Sequence, residues 1–498
     1  MKISTFTPLL TSTFIVALLS NPTHAAPVDV PKIFVDGKPL AESSVKVAGS
    51  AAESLIQLDV DWANFEISTR VKMLSPDAEA GIAFRMPQKH EGDANSGYRT
   101  GLSLSDENVF LRTGDKIVSR RGMALETEMW YSLTLKVRNN HFVLFAGDKP
   151  LAEGDYPAFD VIDNAFNAGN LGLYIKGNAE FGSVKIGDYE QATATVTYTN
   201  PVQLNCADPG MLHYEDKYYA YCTYTPDFPE MKRGVRLYTS TNLVNWKDEG
   251  FALTNENSWG ESRHWAPDIV EHDGTFYMYY AVDERIAVAT ASSPMGPFKQ
   301  QKQAPMTPDS IKIDAHVFID DDGEKYFYYV GFDNGNHIWG AKLNDDMKTV
   351  DTSTITHLIA PEAPWETHMA NVAEGPVVLK HKDWYYMTYS GSHFESPYYS
   401  VGYAVAKHPL GPWKKYEFNP VMQSTPFAHG TAHHSLTVSP DGEEMFIVYH
   451  QHYSLNQTEP RKIAIDRIRF VPQKNGPDRL EVWGPTVTPQ PMPSSTES

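Results

Sequence analysis

From Cys206 onward the chain repeats itself, and a repeat on this scale points to a propeller or a solenoid before any other fold. The unit is a short strand, a polar turn and a Tyr-rich strand. Residues 209–214 turn at Asp216-Lys217 into 218–221, and 267–270 turn at Asp273-Gly274 into 276–280. Residues 315–319 turn through Asp321-Asp322-Gly323 into 326–329. Residues 375–379 turn at Lys382-Asp383 into 384–387, and 435–438 turn at Asp441-Gly442 into 445–449. After the first, second and fourth hairpins comes a further strand ending in a matched motif: Leu243-Val244-Asn245-Trp246, Met295-Gly296-Pro297-Phe298 and Leu410-Gly411-Pro412-Trp413. Copies of a four-strand unit of roughly 45 to 60 residues predict a five-bladed β-propeller, with helix nearly absent.

The residues before the repeat read differently. Phe65-Glu66-Ile67-Ser68-Thr69-Arg70-Val71, Tyr131-Ser132-Leu133-Thr134-Leu135-Lys136-Val137 and Leu171-Gly172-Leu173-Tyr174-Ile175 alternate apolar and polar residues, as half-buried antiparallel strands do. Asn139-Asn140 and Gly147-Asp148 separate strand-like runs in the manner of hairpin turns. A β-sandwich is expected over 27–190, resembling the concanavalin-like jelly-roll modules of the laminin-G type. Such modules often bind sugars; a structural role is equally open here, and no site residue is assigned. The Thr-rich strip 191–200 has no apolar alternation and reads as a linker. The propeller is expected over 201–475, with 476–498 as a C-terminal extension. The whole is all-β.

Lys2, the apolar run Phe14-Ile15-Val16-Ala17-Leu18-Leu19 and Thr23-His24-Ala25 have the pattern of a signal peptide, placed at 1–25. No later segment is apolar enough to span a membrane, so a secreted or periplasmic protein with no membrane association after cleavage is expected. The formal net charge of −20 argues against nucleic acid as a partner and fits a neutral or weakly charged substrate, here carbohydrate. The chain has two cysteines, Cys206 and Cys222. On a regular hairpin turning near Asp216 they would be offset by about four residues at about 3.3 Å each, too far to bridge. Two free, buried thiols are therefore expected, with one disulfide as the alternative.

In a propeller the innermost strand of every blade lines one channel, so the starts of those strands converge. Counting back from the turns, Asp208 and Glu374 match in blades one and four, and Asp314 follows in blade three. Blade two offers Ala266 beside Trp265, and blade five His433-His434. An Asp at a strand start also serves to satisfy nearby backbone amides. Three acids at one structural position need a further reason, because clustered carboxylates repel. Glycosidic cleavage supplies one: a protonated carboxyl donates to the leaving oxygen while an ionised one activates water. A charged Asp314 near Glu374 would raise the latter's pKa. Three acids and a histidine could instead bind calcium or a transition metal.

The ordered motifs Ala-Asp-Pro-Gly, Trp-Ala-Pro-Asp, Ile-Asp-Ala-His, Ala-Glu-Gly-Pro and Gly-Thr-Ala-His-His-Ser resemble glycoside hydrolase family 43 over about 198–472. That resemblance implies a five-bladed propeller that inverts the anomeric centre, with Asp208 as general base, Glu374 as general acid and Asp314 as pKa modulator and orienter. It also implies one structural calcium ion near His433, an aromatic pocket wall at Trp265 and an arginine, Arg461, reaching the bound sugar. Trp259 and His316 are weaker pocket candidates. The family's fifth motif usually reads Gly-Thr-Gly-His, from which Ala432 departs. The expected activity is exo-acting α-L-arabinofuranosidase, with β-xylosidase and endo-arabinanase as alternatives and a non-catalytic sugar-binding propeller as the reading from outside enzymology. A retaining fructosidase would need Asn-Asp-Pro and Arg-Asp-Pro motifs that the chain lacks.

Overall fold

The computed structural model describes strands Ile33–Val35, Lys38–Pro39 and Val45–Gly49 and then residues 53–495, apart from 62–64, 87–96, 139, 150–156, 164, 167–168, 188–195, 225–233, 302–303, 308–309, 426 and 474. The expected signal peptide and most of the expected linker lie outside the described residues. The chain divides into two compact units between Gln191 and Ala192. No helix among the described residues is long and apolar enough to cross a membrane.

The first unit is a β-sandwich. One sheet runs in the order Phe159–Ile162, His141–Gly147, Trp130–Arg138, Phe65–Met73, Val184–Gly187, Ile33–Val35, Lys38–Pro39, with Ala179–Phe181 also beside Phe65–Met73. The second runs Val45–Gly49, Ser54–Asp61, Asn170–Lys176, Glu79–Met86, Tyr98–Ser103, Asn108–Thr113, Lys116–Gly122. Inward residues of both sheets, Phe65, Ile67, Ile82, Phe84, Leu133 and Leu173 among them, form one apolar core. Alternation is strict in Phe65–Met73, where every second residue is buried. Asn170–Lys176 departs from the half-buried expectation: all but Lys176 is buried. Its outward Tyr174 packs with Ala83, Met86 and Phe110 in a second small cluster.

The second unit carries the five blades. Blade one is Ala207–Tyr214, Lys217–Thr223, Gly234–Ser240 and Lys247–Thr254; blade two is Trp265–His272, Thr275–Val282 and Arg285–Ala291. Blade three is Lys312–Ile319, Lys325–Phe332, Asn336–Leu343 and Val350–Ile359, and blade four is Ala373–His381, Trp384–Gly391, Ser400–Ala406 and Lys414–Lys415. Blade five is Ala432–Val438, Met445–Gln451 and Lys462–Val471, to which Gln203–Leu204 and Arg479–Val482 both pair. The matched Leu-Val-Asn-Trp and Gly-Pro motifs follow the third strands, and Phe298 from one of them is fully buried.

Two assignments at the edges of this unit are corrected. Tyr198 and Asn200, placed in the linker, are buried; Thr197–Tyr198 pairs with Gln490–Pro491, and Asn200 Nδ2 donates to Ile465 O at 2.8 Å. Residues after 475 are no appendage, since Arg479–Val482 extends blade five and Trp483 is buried.

The tyrosines of the second strands explain the composition of the repeat. Apolar clusters bridge blades one and two, two and three, three and four, four and five, and five and one. A phenol ring supplies apolar area to such a cluster and its hydroxyl then needs a partner. Several find one on an adjacent blade: Tyr218 Oη donates to Val438 O at 2.9 Å, Tyr279 to Met347 O at 2.7 Å, Tyr328 to Pro409 O at 3.0 Å and Tyr386 to Asp478 O at 2.7 Å.

Cys206 and Cys222 form a disulfide with Cα atoms 5.0 Å apart, against the expectation of free thiols. The counting argument assumed an extended strand. Instead Asn205 and Asp208 have φ of 59° and 47°, and the pairing slips between Ala207 and Gly210. These turns fold the strand start back over its neighbour.

Candidate active site

Every inner strand begins with the same irregularity. The pairing of inner and second strand slips after Ala207, Trp265, Ile313, Glu374 and Ala432. The next residue in each has a left-handed backbone: Asp208 (φ 47°), Ala266 (44°), Asp314 (52°), Gly375 (56°) and His433 (44°). Four of the five are not glycine, and such strain persists only where the surroundings hold it. Neighbouring blades provide the hold: the amides of Asp208, Ala266, Gly375 and His433 donate to His450 Nδ1, Thr223 Oγ1, Asp314 Oδ2 and Ser390 Oγ. The Gly of Ala-Asp-Pro-Gly answers to the same crowding, because a Cβ on Gly210 would lie 1.9 Å from Pro267 O.

This register refines the expected match. Asp314 and His433 are the true equivalents of Asp208, whereas Glu374 takes the place of Ala207, with Gly375 at the Asp208 position. Glu374 therefore reaches the channel from one residue earlier. Trp265 holds the same place in blade two; it is partly exposed, with the Arg263 guanidinium 5.6 Å from its ring.

Asp208, Asp314 and Glu374 are 7 %, 6 % and 7 % exposed, so burial alone does not distinguish them. Their partners do. Asp208 Oδ1 accepts from Arg461 Nη1 at 2.8 Å and lies 3.2 Å from His450 Nδ1 and 3.5 Å from His433 Nδ1. Burial pushes this carboxyl up, but the Arg461 guanidinium, together with His433 and His450, outweighs it and holds Asp208 well below the usual range. Arg461 is itself buried, with its Nε on Glu459 Oε1 at 2.9 Å, and is not the surface charge it could have been.

Among the described residues Glu374 has no ion-pair partner. Tyr399 Oη donates to its Oε1 at 2.7 Å and Asn336 Nδ2 to its Oε2 at 2.6 Å. Burial, reinforced by the charge of Asp208, raises its pKa to about 7 against the pull of these two donors. An oxygen of Asp314, an oxygen of Glu374 and a ring nitrogen of His433 all lie within 4.8 Å of one another. Burial, then Glu374, push Asp314 well above the ordinary carboxyl range. The two form a coupled buried pair that retains protons isolated carboxyls would lose.

Beneath the acids a cavity of about 30 Å³ is lined from all five blades, including Asp208, Ala266, Asp314, His316, Gly375 and His433. His316 Nδ1 lies 3.3 Å from Asp268 Oδ2, while its Nε2 and His434 Nδ1 are buried without a hydrogen-bond partner. Such a space takes a water or two, or one ion. Calcium takes about six to eight oxygen ligands; the carboxylates of Asp208, Asp268 and Asp314 and the imidazoles of His316, His433 and His434 line this space, so oxygen ligands beyond these side chains would have to complete a calcium shell. Trp259 packs, half-buried, against the core between blades one and two. Sequence reasoning missed Tyr399, Asn336 and His450. The Tyr-His-Gln-His run at 449–452, ending the second strand of blade five beside the inner strand, is the one signal that could have found His450.

One buried carboxylate held ionised by arginine and another held protonated in the same channel are the equipment of acid–base hydrolysis. The family model of glycosyl hydrolases family 43 matches residues 198–474, and the chain belongs to that family: it is a glycoside hydrolase. It is similar to a β-D-galactofuranosidase of Aspergillus niger, 27 % identical over 53 % of this chain and 79 % of that one. It is similar also to an extracellular exo-α-(1→5)-L-arabinofuranosidase of Streptomyces avermitilis, 27 % identical over 52 % of this chain and 57 % of that one. The chain thus spans little more than half the length of the second relative. A solved thermostable family-43 glycoside hydrolase is matched at 38 % identity with a TM-score of 0.55, over 60 % of this chain and 100 % of that one. An endo-1,4-β-xylanase from Bacteroides thetaiotaomicron is matched at 35 % identity with a TM-score of 0.54, over 58 % and 98 %.

Proposed function

We propose that the protein is an exported, inverting, exo-acting α-L-arabinofuranosidase that removes terminal arabinose from polysaccharides or oligosaccharides. The observation that carries the catalytic part is the opposed protonation of Asp208 and Glu374 at equal burial. Asp208, ionised beside Arg461, takes a proton from the attacking water; Glu374, neutral below about pH 7, gives its proton to the leaving oxygen. Asp314 keeps Glu374 company as a coupled acid and caps the Gly375 amide, which orients the strand that carries Glu374. Trp265 and Arg461 are the pocket groups assigned to the sugar, with His316 below them. A channel cation belongs to the proposal only as a structural ion near His433, and no step runs through it. Export is supported by the pattern at 1–25 and by the extracellular Streptomyces relative.

The Aspergillus relative favours a second reading, in which the furanose ring form rather than the pentose is recognised. Hydrolysis of p-nitrophenyl α-L-arabinofuranoside, β-D-xyloside and β-D-galactofuranoside, with the product anomer followed by NMR, tests both. Release of β-L-arabinose from the first substrate alone is expected. Preference for the xyloside or the galactofuranoside, or retention of configuration, overturns the first reading.

A further inference from the structure

On the sandwich, one outward sheet face forms a groove of about 570 Å³ lined by no residue assigned to catalysis, within the range of small-molecule sites. Its floor is built from alternate residues of three adjacent strands. Arg70 stands opposite Ser132, and Ser68 lies between Thr134 on one side and Lys185 on the other. Ser68, Arg70, Trp130, Ser132, Thr134 and Lys185 all line it. The inward partners of these residues, Ile67, Val71, Leu133 and Ile186, fill the core, so the polar row is not there by want of apolar residues.

The charge of this face runs against that of the protein. The chain as a whole carries −20, yet Arg70, Lys72, Lys136 and Lys185 face here against Glu66 and Glu180. Lys72 pairs with Glu180 at 2.6 Å and Lys136 with Glu66 at 3.5 Å. Arg70 and Lys185 are exposed and have no ion pair among the described residues. The Arg70 guanidinium rests 5.2 Å from the Trp130 ring centroid, an arrangement that holds the fork in place without consuming its donors.

We propose that this groove binds a carboxylate-bearing saccharide, one with uronic acid residues: Arg70 and Lys185 take the carboxylates, and the hydroxyls of Ser68, Ser132 and Thr134 exchange hydrogen bonds with ring hydroxyls. Arginine suits a carboxylate because its fork matches both oxygens. Two cations among hydroxyls fit one carboxylate per residue on a polyhydroxylated chain, and the protein's net negative charge opposes a denser polyanion. The site would hold the enzyme on acidic glycan while the propeller cleaves neutral side residues. It rests on glycoside hydrolase membership and not on which sugar the channel accepts.

The test is calorimetric titration of the full chain with a galacturonic acid oligosaccharide, its fully methyl-esterified form and inorganic phosphate, alongside hydrolysis of the chromogenic arabinofuranoside. Binding of the free acid is expected, with the ester and phosphate weaker; Arg70→Ala and Lys185→Ala should each weaken it about tenfold, the loss of one charged hydrogen bond. Both variants should keep wild-type hydrolysis, which separates failure here from failure of the catalytic reading. No binding of the acid, equal binding of acid and ester, displacement by phosphate at comparable concentration, or unchanged affinity in both variants would overturn the proposal.

Discussion

The two sides of the propeller channel hide carboxylates to the same depth and give them opposite character. On the side of blades five and one, Asp208 faces a buried arginine and stays ionised; on the side of blades three and four, Glu374 meets a phenol, an amide and another acid, and stays protonated into the neutral range. Burial alone would push both the same way. Placement of one guanidinium, Arg461, divides one channel into a basic and an acidic half, which is what hydrolysis with separate base and acid needs.

The comparison can be broken at its charged half first. Asp208→Asn removes the base and should lower kcat/KM for an arabinofuranoside by about three orders of magnitude, while circular dichroism stays that of the wild type. Arg461→Ala leaves Asp208 buried without its counter-charge, which costs about 3 kcal/mol of stability, readable by urea denaturation. Asp208 must be ionised to act and Arg461 lowers its pKa, so the acid limb of the pH–rate profile should move to higher pH in this variant.

The acidic half is sharpened by subtraction of donors. Tyr399 and Asn336 stabilise the ionised form of Glu374, and the acid works only while protonated. Activity should therefore fall as pH rises through about 7 in the wild type, and Tyr399→Phe should move that limb upward by about one pH unit. A purely structural role for Tyr399 would lower the rate without moving the limb. The smallest effect belongs outside the channel: Tyr328→Phe forfeits the bond to Pro409 O and should cost about 1 kcal/mol in urea denaturation with an unchanged pH profile.

Much of this was legible in the sequence because the blade hairpins are local. Turn residues and Tyr-rich strands recur in order, and counting back from each turn reached Asp208 and Asp314. The same counting put Glu374 one place out of true register and declared the cysteines unbridgeable, since it cannot see left-handed residues such as Asn205 and Asp208. Tyr399 comes from the loop just before a third strand and Asn336 from another blade, so only the assembled propeller places them on Glu374. Arg461 was found through resemblance, but its hold on Asp208, and with it the division of the channel, required the structure.

The most direct test of that division is kcat/KM against pH for the wild type and Glu374→Gln, on p-nitrophenyl α-L-arabinofuranoside and on an unactivated arabino-oligosaccharide. The account predicts a wild-type limb near pH 7 on the oligosaccharide, and in Glu374→Gln activity largely retained on the nitrophenyl substrate, whose leaving group needs no proton, and lost on the oligosaccharide. A wild type without a limb near pH 7 on the oligosaccharide, or equal losses on the two substrates in Glu374→Gln, would contradict it.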